Sequence, residues 1–265
     1  MLYILNFSYL HSLLYSMFNC LIHQKHTYDI LKIFKLKYKF SHYNIEITKK
    51  DYKNLTIYFN DKIINLYFEL LQDYSKVYNI KLKTISSFFY TYLNKYGYNY
   101  IKTWFKEDLT EYNYIFIPVN TGFHWIFVNI NNISYTIEIY NSMYNINKKS
   151  NINEFQNFSD KSTIKDNHIY EIYHFITKFT NKKYKVKYMN ASQQRNGVDC
   201  GVFTLLFARC RLITNRECIT RHITIHRKMI RQELMTGKII YDIDDIKKFS
   251  EEERDEYLVD DFNNL

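Results

Sequence analysis

The chain contains few of the residues that usually mark turns: it has one proline and five glycines among 265 residues. Ordinary turn signals are therefore sparse, and the elements must be located from hydrophobic periodicity. Cysteine is also scarce. Four cysteines, Cys20, Cys200, Cys210 and Cys218, are too few and too unevenly spread to form a disulfide framework. We therefore expect a reducing compartment, the nucleus or the cytoplasm.

The start of the sequence lacks a clear targeting or membrane signal. Residues 1–22 are apolar and uncharged, but polar residues such as Asn6, Ser12 and Asn19 interrupt the stretch. It has neither the positive n-region nor the small-residue cleavage site of a signal peptide, and a membrane span needs about 20 predominantly apolar residues. We expect residues 1–41 to form a poorly defined N-terminal extension, with a weak apolar anchor as the less favoured alternative.

Charge is unevenly distributed along the chain. Residues 240–265 hold ten acidic and three basic residues, a net charge of −7, and since the whole chain carries +9, the remainder carries +16. Such a basic body attracts an acidic protein, nucleic acid or an anionic membrane, or it is simply a solvated lysine-rich face. The sequence has no arginine-rich run or nucleic-acid motif, so we predict no specific nucleic acid. Residues 241–265 are interpreted as an acidic C-terminal tail.

Hydrophobic periodicity predicts helices before and after a run of strands. In chain order the predicted elements are a short strand near residue 45 with a loop after it, a long helix from Asp61, helices over 85–95 and 97–105, strands over 114–119, 123–131 and 133–140, a polar loop over 145–165, a helix over 168–179 and a strand over 184–189. The order shows no regular β-α alternation and no internal repeat. It favours one α+β domain over residues 42–240.

The most informative stretch is QQRNGVDCG, residues 193–201, because it places two of the five glycines on either side of Cys200. Glycine permits φ > 0 and close approach of another chain, so this turn presents a thiol at the start of a helix. Asp199 is a suitable N-cap, and residues 202–212 follow with helical periodicity. Exposed N–H groups and the helix dipole favour a thiolate in the first turn. The pattern predicts a reactive cysteine.

A nucleophilic cysteine needs a base from elsewhere in the chain. His124 stands out among nine histidines because it lies within an apolar strand pattern, directly before Trp125. Asn141 ends the next predicted strand, 17 residues later. Antiparallel strands can place the two side by side, where the amide could accept the ring N–H and orient the imidazole. A core histidine and an ordinary turn asparagine are the alternatives.

Five blocks in this order resemble the ubiquitin-like-protein-specific cysteine proteases, also called SUMO or sentrin-specific proteases. The blocks are DYKNLTIYFNDKIINLYFELL, SSFFYTYLNKYGYNYIKTWFK, YIFIPVNTGFHWIFVNIN, IYNSM and QQRNGVDCGVFTLLFA, and they span roughly residues 45–235. The resemblance implies a papain-like α+β fold with a central, mostly antiparallel sheet flanked by helices. It also implies a monomeric thiol protease, without cofactor or metal, that cleaves after the C-terminal Gly-Gly of SUMO or another ubiquitin-like modifier, in conjugates or in a precursor.

Carried over residue by residue, the resemblance makes Cys200 the nucleophile and His124 its general base and acid. Gln194 matches the oxyanion-hole glutamine, whose amide N–H would act with the backbone N–H of Cys200. Trp125 matches the tryptophan that lines a narrow tunnel for the Gly-Gly tail, and Tyr58 would form the other wall. Only glycine lacks the Cβ that would clash in such a tunnel.

The resemblance also assigns two acidic residues to substrate contacts. Asp61 belongs to the block that carries Tyr58, and Asp199 precedes the nucleophile. For Asp199 the structural role as a helix cap is the alternative.

Two residues depart from the family pattern: Asn141 replaces the usual aspartate, and Tyr58 replaces the usual tryptophan. Aspartate both orients the histidine and stabilises its charge, whereas an amide only orients it. A cysteine enzyme with a resting thiolate–imidazolium pair should suffer less from this exchange than a serine enzyme. The alternatives are a weak or inactive pseudo-protease that binds the modifier, or a same-fold protease acting on ubiquitin, a NEDD8-like modifier or a viral polyprotein.

A zinc site is a weaker interpretation of the remaining cysteines. Cys210, Cys218, His222 and His226 form a C-x7-C-x3-H-x3-H string. Paired structural sites usually have C-x2–4-C spacing, and Cys210 falls within the helix predicted after Cys200. We therefore predict no metal site.

Overall fold

The structure, a computed structural model, describes residues 45, 48–143, 166–215, 220 and 222–240. Its elements in chain order are α1 (Lys49–Asn54), α2 (Asp61–Val77), β1 (Leu82–Thr84), α3 (Phe88–Lys102), a 3-10 turn (Leu109–Glu111), β2 (Tyr114–Asn120), β3 (Trp125–Asn131), β4 (Thr136–Tyr140), α4 (Asn167–Thr180), β5 (Lys185–Tyr188), α5 (Cys200–Ile213) and α6 (Ile223–Thr236). The predicted extension 1–41, loop 145–165 and tail 241–265 lie outside the described residues. Among the described helices, none has the length and apolar character needed to cross a membrane.

The five strands form one mixed sheet in the order β1-β2-β3-β4-β5. The central strands β2, β3 and β4 pair antiparallel, whereas β1 and β5 join the edges in parallel. Most of the ladder is antiparallel, because β2 and β3 pair along their whole length, from Tyr114 opposite Asn131 to Asn120 opposite Trp125. The predicted α+β fold, with a mostly antiparallel central sheet flanked by helices, is confirmed.

Alternation along the strands divides the interior into two cores, since successive side chains of a strand point to opposite faces. Phe127 belongs to a core shared with α2, α5 and α6, whereas Val128 belongs to a second core shared with α3 and α4. The sheet is therefore the middle of three layers. The residues that precede and follow the central strands lie at the ends of these strands, where side chains from neighbouring strands can form a site.

The long helix predicted from Asp61 is α2, and its start has a clear physical cause. The side chain of Asn60 accepts a hydrogen bond from the backbone N–H of Ile63 at 3.1 Å, which caps the first turn. The two helical patterns predicted next form one helix, α3, which is kinked at Gly97, with φ at 77°. It begins at Phe88 rather than Ile85, because the N–H of Ile85 continues the sheet by donating to the Phe116 carbonyl.

Several boundaries differ from the prediction. The strand predicted from 133 begins at Thr136, because Tyr135 has φ at 52° and ends a turn. The loop predicted after the first strand contains α1, and β1 and α6 were not predicted. Residues 46 and 47 of that first strand lie outside the described residues.

Candidate active site

Cys200, which the sequence predicts to be reactive, lies at the start of a helix as predicted. Cys200 is the first residue of α5, its side chain is 7% exposed, and it is in no disulfide. Helix α5 is buried along almost its whole length, since it packs on β3 and between α2 and α6. The surrounding layers therefore fix the position of its first turn.

Asp199 occupies the N-cap position of α5, but the predicted capping bond is wrong. One carboxylate oxygen, Oδ1, accepts a hydrogen bond from Arg227 Nη2 at 2.6 Å, and Oδ2 accepts one from Asn196 Nδ2 at 2.8 Å. Both oxygens are thereby directed away from the N–H groups of the first turn. Asp199 is only 6% exposed. Its predicted contact with the substrate stays a prediction.

The glycine after the nucleophile is required by close packing rather than by its φ. A Cβ built on Gly201 would lie 2.8 Å from the Cβ of Phe59, a distance that side chains do not tolerate. Gly197 faces open space, and neither glycine has a positive φ. The sequence suggested two reasons for glycine at these positions. Close approach of another segment is confirmed for Gly201, whereas a positive φ is wrong for Gly197 and for Gly201.

The loop that carries Phe59 also forms a hydrogen bond with Trp125, the first residue of β3. The indole Nε1–H donates to the carbonyl of Phe59 at 3.1 Å, and Trp125 is 7% exposed. Arg227 packs its guanidinium 5.0 Å from the centre of the Phe59 ring. The neighbouring Tyr58 is 48% exposed. The two predicted tunnel residues, Tyr58 and Trp125, are thus tied to the segment that covers the start of α5.

His124 lies in the turn between β2 and β3, one residue before the strand in which it was predicted. Asn120 is paired with Trp125, which leaves four residues for the turn. Within it, Gly122 has φ at 100° and donates its N–H to Asn120 Oδ1 at 2.7 Å, while Thr121 N–H donates to the His124 carbonyl at 3.0 Å. The histidine backbone is therefore held by its turn as well as by the sheet.

The predicted pairing of His124 with Asn141 is present, with Nε2 of the ring 2.8 Å from Oδ1 of the amide. The same oxygen accepts the backbone N–H of Met143 at 2.9 Å, which fixes the amide orientation. An amide oxygen can only accept, so Nε2 of His124 carries the proton. The other ring nitrogen, Nδ1, is buried and has no hydrogen-bond partner among the described residues.

Gln194 is attached to the end of β4 by two hydrogen bonds. Its N–H donates to the carbonyl of Ser142 at 2.8 Å, and the hydroxyl of Ser142 donates to its Oε1 at 2.7 Å. On the other side, Gln194 Nε2 donates to the Asn196 carbonyl at 2.6 Å. Gln193 adds a bond from its Nε2 to the carbonyl of Asn141 at 3.0 Å. Residues 193–196 therefore connect the His124 partner with the turn that leads into α5.

The contacts described above involve five of the eight predicted site residues: His124, Asn141, Gln194, Trp125 and Asp199. Cys200 and Tyr58 are next to residues that make such contacts, Cys200 between Asp199 and Gly201, and Tyr58 before Phe59. Asp61 begins α2, three residues after Tyr58, and takes part in none of the contacts described above. The contacts of Ser142, Met143 and Arg227 were not predicted from the sequence. The first two follow Asn141 directly, whereas Arg227 lies in α6, a helix that was not predicted.

The weaker zinc interpretation cannot be completed, because Cys218 lies outside the described residues. Within the described residues, no group of three or more His, Cys, Asp or Glu side chains is placed to hold a metal ion. His226 is used elsewhere, since its Nε2 is 2.9 Å from the Thr220 hydroxyl.

The chain is similar to several sentrin-specific proteases. Over 205 residues the chain is 30% identical to Sentrin-specific protease 2 of Mus musculus, covering 76% of this chain and 33% of that protein. It is 26% identical over 214 residues to a Sentrin-specific protease of Caenorhabditis elegans, covering 75% of this chain and 28% of that protein. The chain thus spans about a third of the length of these relatives.

Among solved structures, the C-terminal Ulp1 protease domain in complex with Smt3, the yeast ortholog of SUMO, has the same fold. It aligns with a TM-score of 0.59 and 20% identity, over 73% of this chain and 84% of that chain. A family model described as the C-terminal catalytic domain of the Ulp1 protease family matches residues 58–238, a range that contains the whole candidate site. The chain therefore belongs to the Ulp1 protease family.

Proposed function

We propose that the protein is a cysteine peptidase that cleaves after the C-terminal Gly-Gly of a SUMO-like modifier. The observation that carries this proposal is the state of His124. Its Nε2–H is committed to Asn141, and its buried Nδ1 has no partner among the described residues. This tautomer leaves one lone pair to accept the proton of a thiol. Cys200, at the first residue of a helix, is the nucleophile that it would activate.

The reaction follows from these roles. The thiol of Cys200 gives its proton to His124 Nδ1, and the sulfur forms a bond to the carbonyl carbon of the last glycine. Collapse of the tetrahedral intermediate breaks the C–N bond, and His124 protonates the leaving lysine amine. Water then attacks the thioester while His124 takes its proton, which releases the carboxylate of the modifier and the thiol. The Gln194 amide and the Cys200 N–H would stabilise both oxyanions, by about 2.7–4 kcal/mol per donor.

Asn141 supports this chemistry by orientation and not by charge. In a serine triad, exchange of aspartate for asparagine costs ~10⁴ in kcat, largely through the wrong tautomer of the histidine. Here the N–H of Met143 occupies the same Oδ1 and keeps that oxygen toward the ring, so the correct tautomer is retained.

Two substitutions of Asn141 separate orientation from charge. Asn141→Asp adds a charge that stabilises the imidazolium, and we expect labelling by a SUMO probe to become up to about tenfold faster, or about 1.4 kcal/mol. Asn141→Ala releases the ring, and we expect a loss of roughly 100-fold. If Asn141→Ala labels as fast as the wild type, the amide has no part in the reaction.

The choice of a SUMO-like modifier is supported by three observations. The relatives are named Sentrin-specific proteases, and the solved Ulp1 domain was bound to a SUMO ortholog. Trp125 donates its indole N–H to the carbonyl of Phe59, the neighbour of Tyr58, and Phe59 packs on the start of α5. A charge of +16 outside residues 240–265 suits an acidic partner, whose association would then depend on salt. The nucleus or the cytoplasm stays our proposed location.

The test is hydrolysis of SUMO and of ubiquitin that carry a fluorogenic group on the last glycine. We expect the wild type to cleave the SUMO substrate, Cys200→Ser to be inactive, and Cys210→Ser to match the wild type. Cysteine 210 is a matched control because it lies ten residues further along the same helix. Cleavage of ubiquitin alone would show that the substrate is ubiquitin and not a SUMO-like modifier. Binding of SUMO without cleavage of either substrate would overturn the peptidase and favour the pseudo-protease.

A further inference from the structure

We propose that Ser142 is a positioning residue that holds the Gln194 amide with its N–H, and not its oxygen, toward the oxyanion. The inference rests on the proposed function, since it assigns the support of the oxyanion hole. Ser142 is 1% exposed and lies immediately after Asn141. One dipeptide at the end of β4 would therefore orient the histidine through its first residue and the glutamine through its second.

The contacts of Gln194 define the orientation of its side chain. Ser142 Oγ–H donates to Oε1 at 2.7 Å, and the Gln194 backbone N–H donates back to the Ser142 carbonyl at 2.8 Å. These two bonds join residues 52 positions apart. On the opposite side of the amide, Nε2 donates to the Asn196 carbonyl at 2.6 Å. An amide reversed about its last bond would place its oxygen against the Asn196 oxygen, and the Ser142 hydroxyl would have to accept instead of donate.

The hydroxyl matters because an amide has a donor end and an acceptor end of nearly the same shape. An N–H of Gln194 would stabilise an oxyanion, whereas its oxygen would repel one. Nε2 has two protons, so it can bond to Asn196 and still donate to a reacting oxygen. Asn196 itself is fixed, since its Oδ1 accepts the N–H groups of Val198 and Asp199 just before the nucleophile. Ser142 is the contact that occupies the acceptor end.

The first arm of the test does not depend on activity. The side-chain NH2 of Gln194 is identified by comparison with Gln194→Glu, and its order parameter is measured by 15N relaxation. We expect the wild-type value to approach that of rigid backbone, about 0.85, and the value in Ser142→Ala to fall into the flexible range, below about 0.6, because the amide loses the bond to its oxygen. Ser142→Thr keeps the hydroxyl and is expected to restore the wild-type value. An unchanged order parameter in Ser142→Ala would overturn the proposal, even for a chain that cleaves nothing.

The second arm uses hydrolysis of the fluorogenic SUMO substrate. Removing one oxyanion-hole donor costs about 10²–10³ in kcat, so we expect Ser142→Ala, which only misplaces the donor, to lose roughly 10- to 100-fold in kcat with KM unchanged. In a Gln194→Ala background the same substitution should have no further effect. An equal loss in both backgrounds would show a merely structural role.

Ser75→Ala is the matched control. Ser75 is also 1% exposed, and its hydroxyl donates to the Gln72 carbonyl within α2 at 2.6 Å, away from the site. We expect it to affect stability and not kcat. If the wild type cleaves SUMO and Ser142→Ala keeps its full kcat, the inference fails while the proposed function stands. If the wild type cleaves nothing, the proposed function fails and the NMR arm alone decides the role of Ser142.

Discussion

The two faces of the sheet are stabilised in different ways. The core against α3 and α4 is formed almost entirely by aliphatic and aromatic side chains, such as Ile115, Val128 and Phe175. The core against α2, α5 and α6 contains aromatic residues as well, but it also encloses buried ion pairs. Hydrophobic burial is non-directional, whereas hydrogen bonds between charged groups fix angles and distances. The face that carries the helix of Cys200 is the one that contains buried ion pairs as directional contacts.

Two ion pairs illustrate the difference. Glu138 on β4 accepts from Arg211 Nε on α5 at 2.7 Å, and Glu233 on α6 accepts from Arg209 Nε at 3.0 Å. Burial alone would raise the pKa of the Glu138 carboxyl, but Arg211 holds that pKa below its ordinary value. For the more deeply buried Glu233, burial prevails and raises the pKa. Both arginines belong to α5, so the helix of Cys200 is bonded to the sheet on one side and to α6 on the other.

Breaking the ion pair to the sheet should have the largest effect. We expect Glu138→Gln to lower the free energy of unfolding by about 3–5 kcal/mol, because Arg211 would stay buried without a counter-charge. The matched control is Ile137→Val, one position along β4 and on the apolar face, which should cost about 0.5–1.5 kcal/mol. Urea unfolding measures both. Equal losses at the two positions would show that the faces do not differ in this way.

Filling the contact between α5 and the Phe59 loop should have the next largest effect. In Gly201→Ala the added Cβ would meet Phe59 Cβ at 2.8 Å, so the loop must move, at a cost of about 1–3 kcal/mol. Since the same loop accepts the indole of Trp125, labelling of Cys200 by a SUMO probe should also slow. Gly197→Ala, with open space around the new methyl group, is the control and should change neither. Unaltered labelling of the Gly201→Ala variant would show that the contact between Gly201 and Phe59 does not influence the reaction of Cys200.

The smallest expected effect concerns His226 on α6. Burial, with Arg209 and His222 nearby, lowers the pKa of His226 to about 4. In the unfolded chain the value is about 6.5, so the unfolded state binds more protons between these two values. Stability is therefore greatest above about pH 6.5 and falls as the pH drops toward about 4. The full shift corresponds to about 3 kcal/mol, and solvent screening of the partly exposed ring reduces the expected loss to about 1–2 kcal/mol.

The measurement for His226 is the loss of unfolding free energy between pH 7 and pH 4.5. His226→Gln should lose less than the wild type over this interval. Substitution of an exposed histidine on another helix, His174→Gln on α4, should lose as much as the wild type. If His226→Gln and the wild type lose equal amounts, the acid sensitivity arises from other groups.

The sequence was sufficient for the parts of the site that depend on local pattern. The glycine-flanked Cys200 predicted the start of α5, and the spacing of His124 and Asn141 on neighbouring strands predicted their hydrogen bond. Carboxylate partners were not predictable in the same way. Asp199 has the residue type and position of a cap, yet Arg227, 28 residues later, binds its carboxylate instead. Only the packing of α6 reveals this competition.

The predictions from sequence were wrong or absent where the structure depends on a turn or on a residue without a distinctive pattern. His124 was placed within a strand because Phe123 and Trp125 continue the apolar run, although Gly122 and Thr121 form a turn there. Ser142 gave no signal of its own, since a serine at a strand end is ordinary. Its contact with Gln194 joins two segments 52 residues apart, which periodicity does not detect.

The most direct test of the central claim is to react the purified protein with SUMO that carries a C-terminal propargyl warhead and to locate the adduct by mass spectrometry. We expect one adduct, on the sulfur of Cys200, that is retained in Cys210→Ser and absent in Cys200→Ser. An adduct on any other residue, or no adduct, would contradict the assignment of Cys200 as the nucleophile of a SUMO-directed protease.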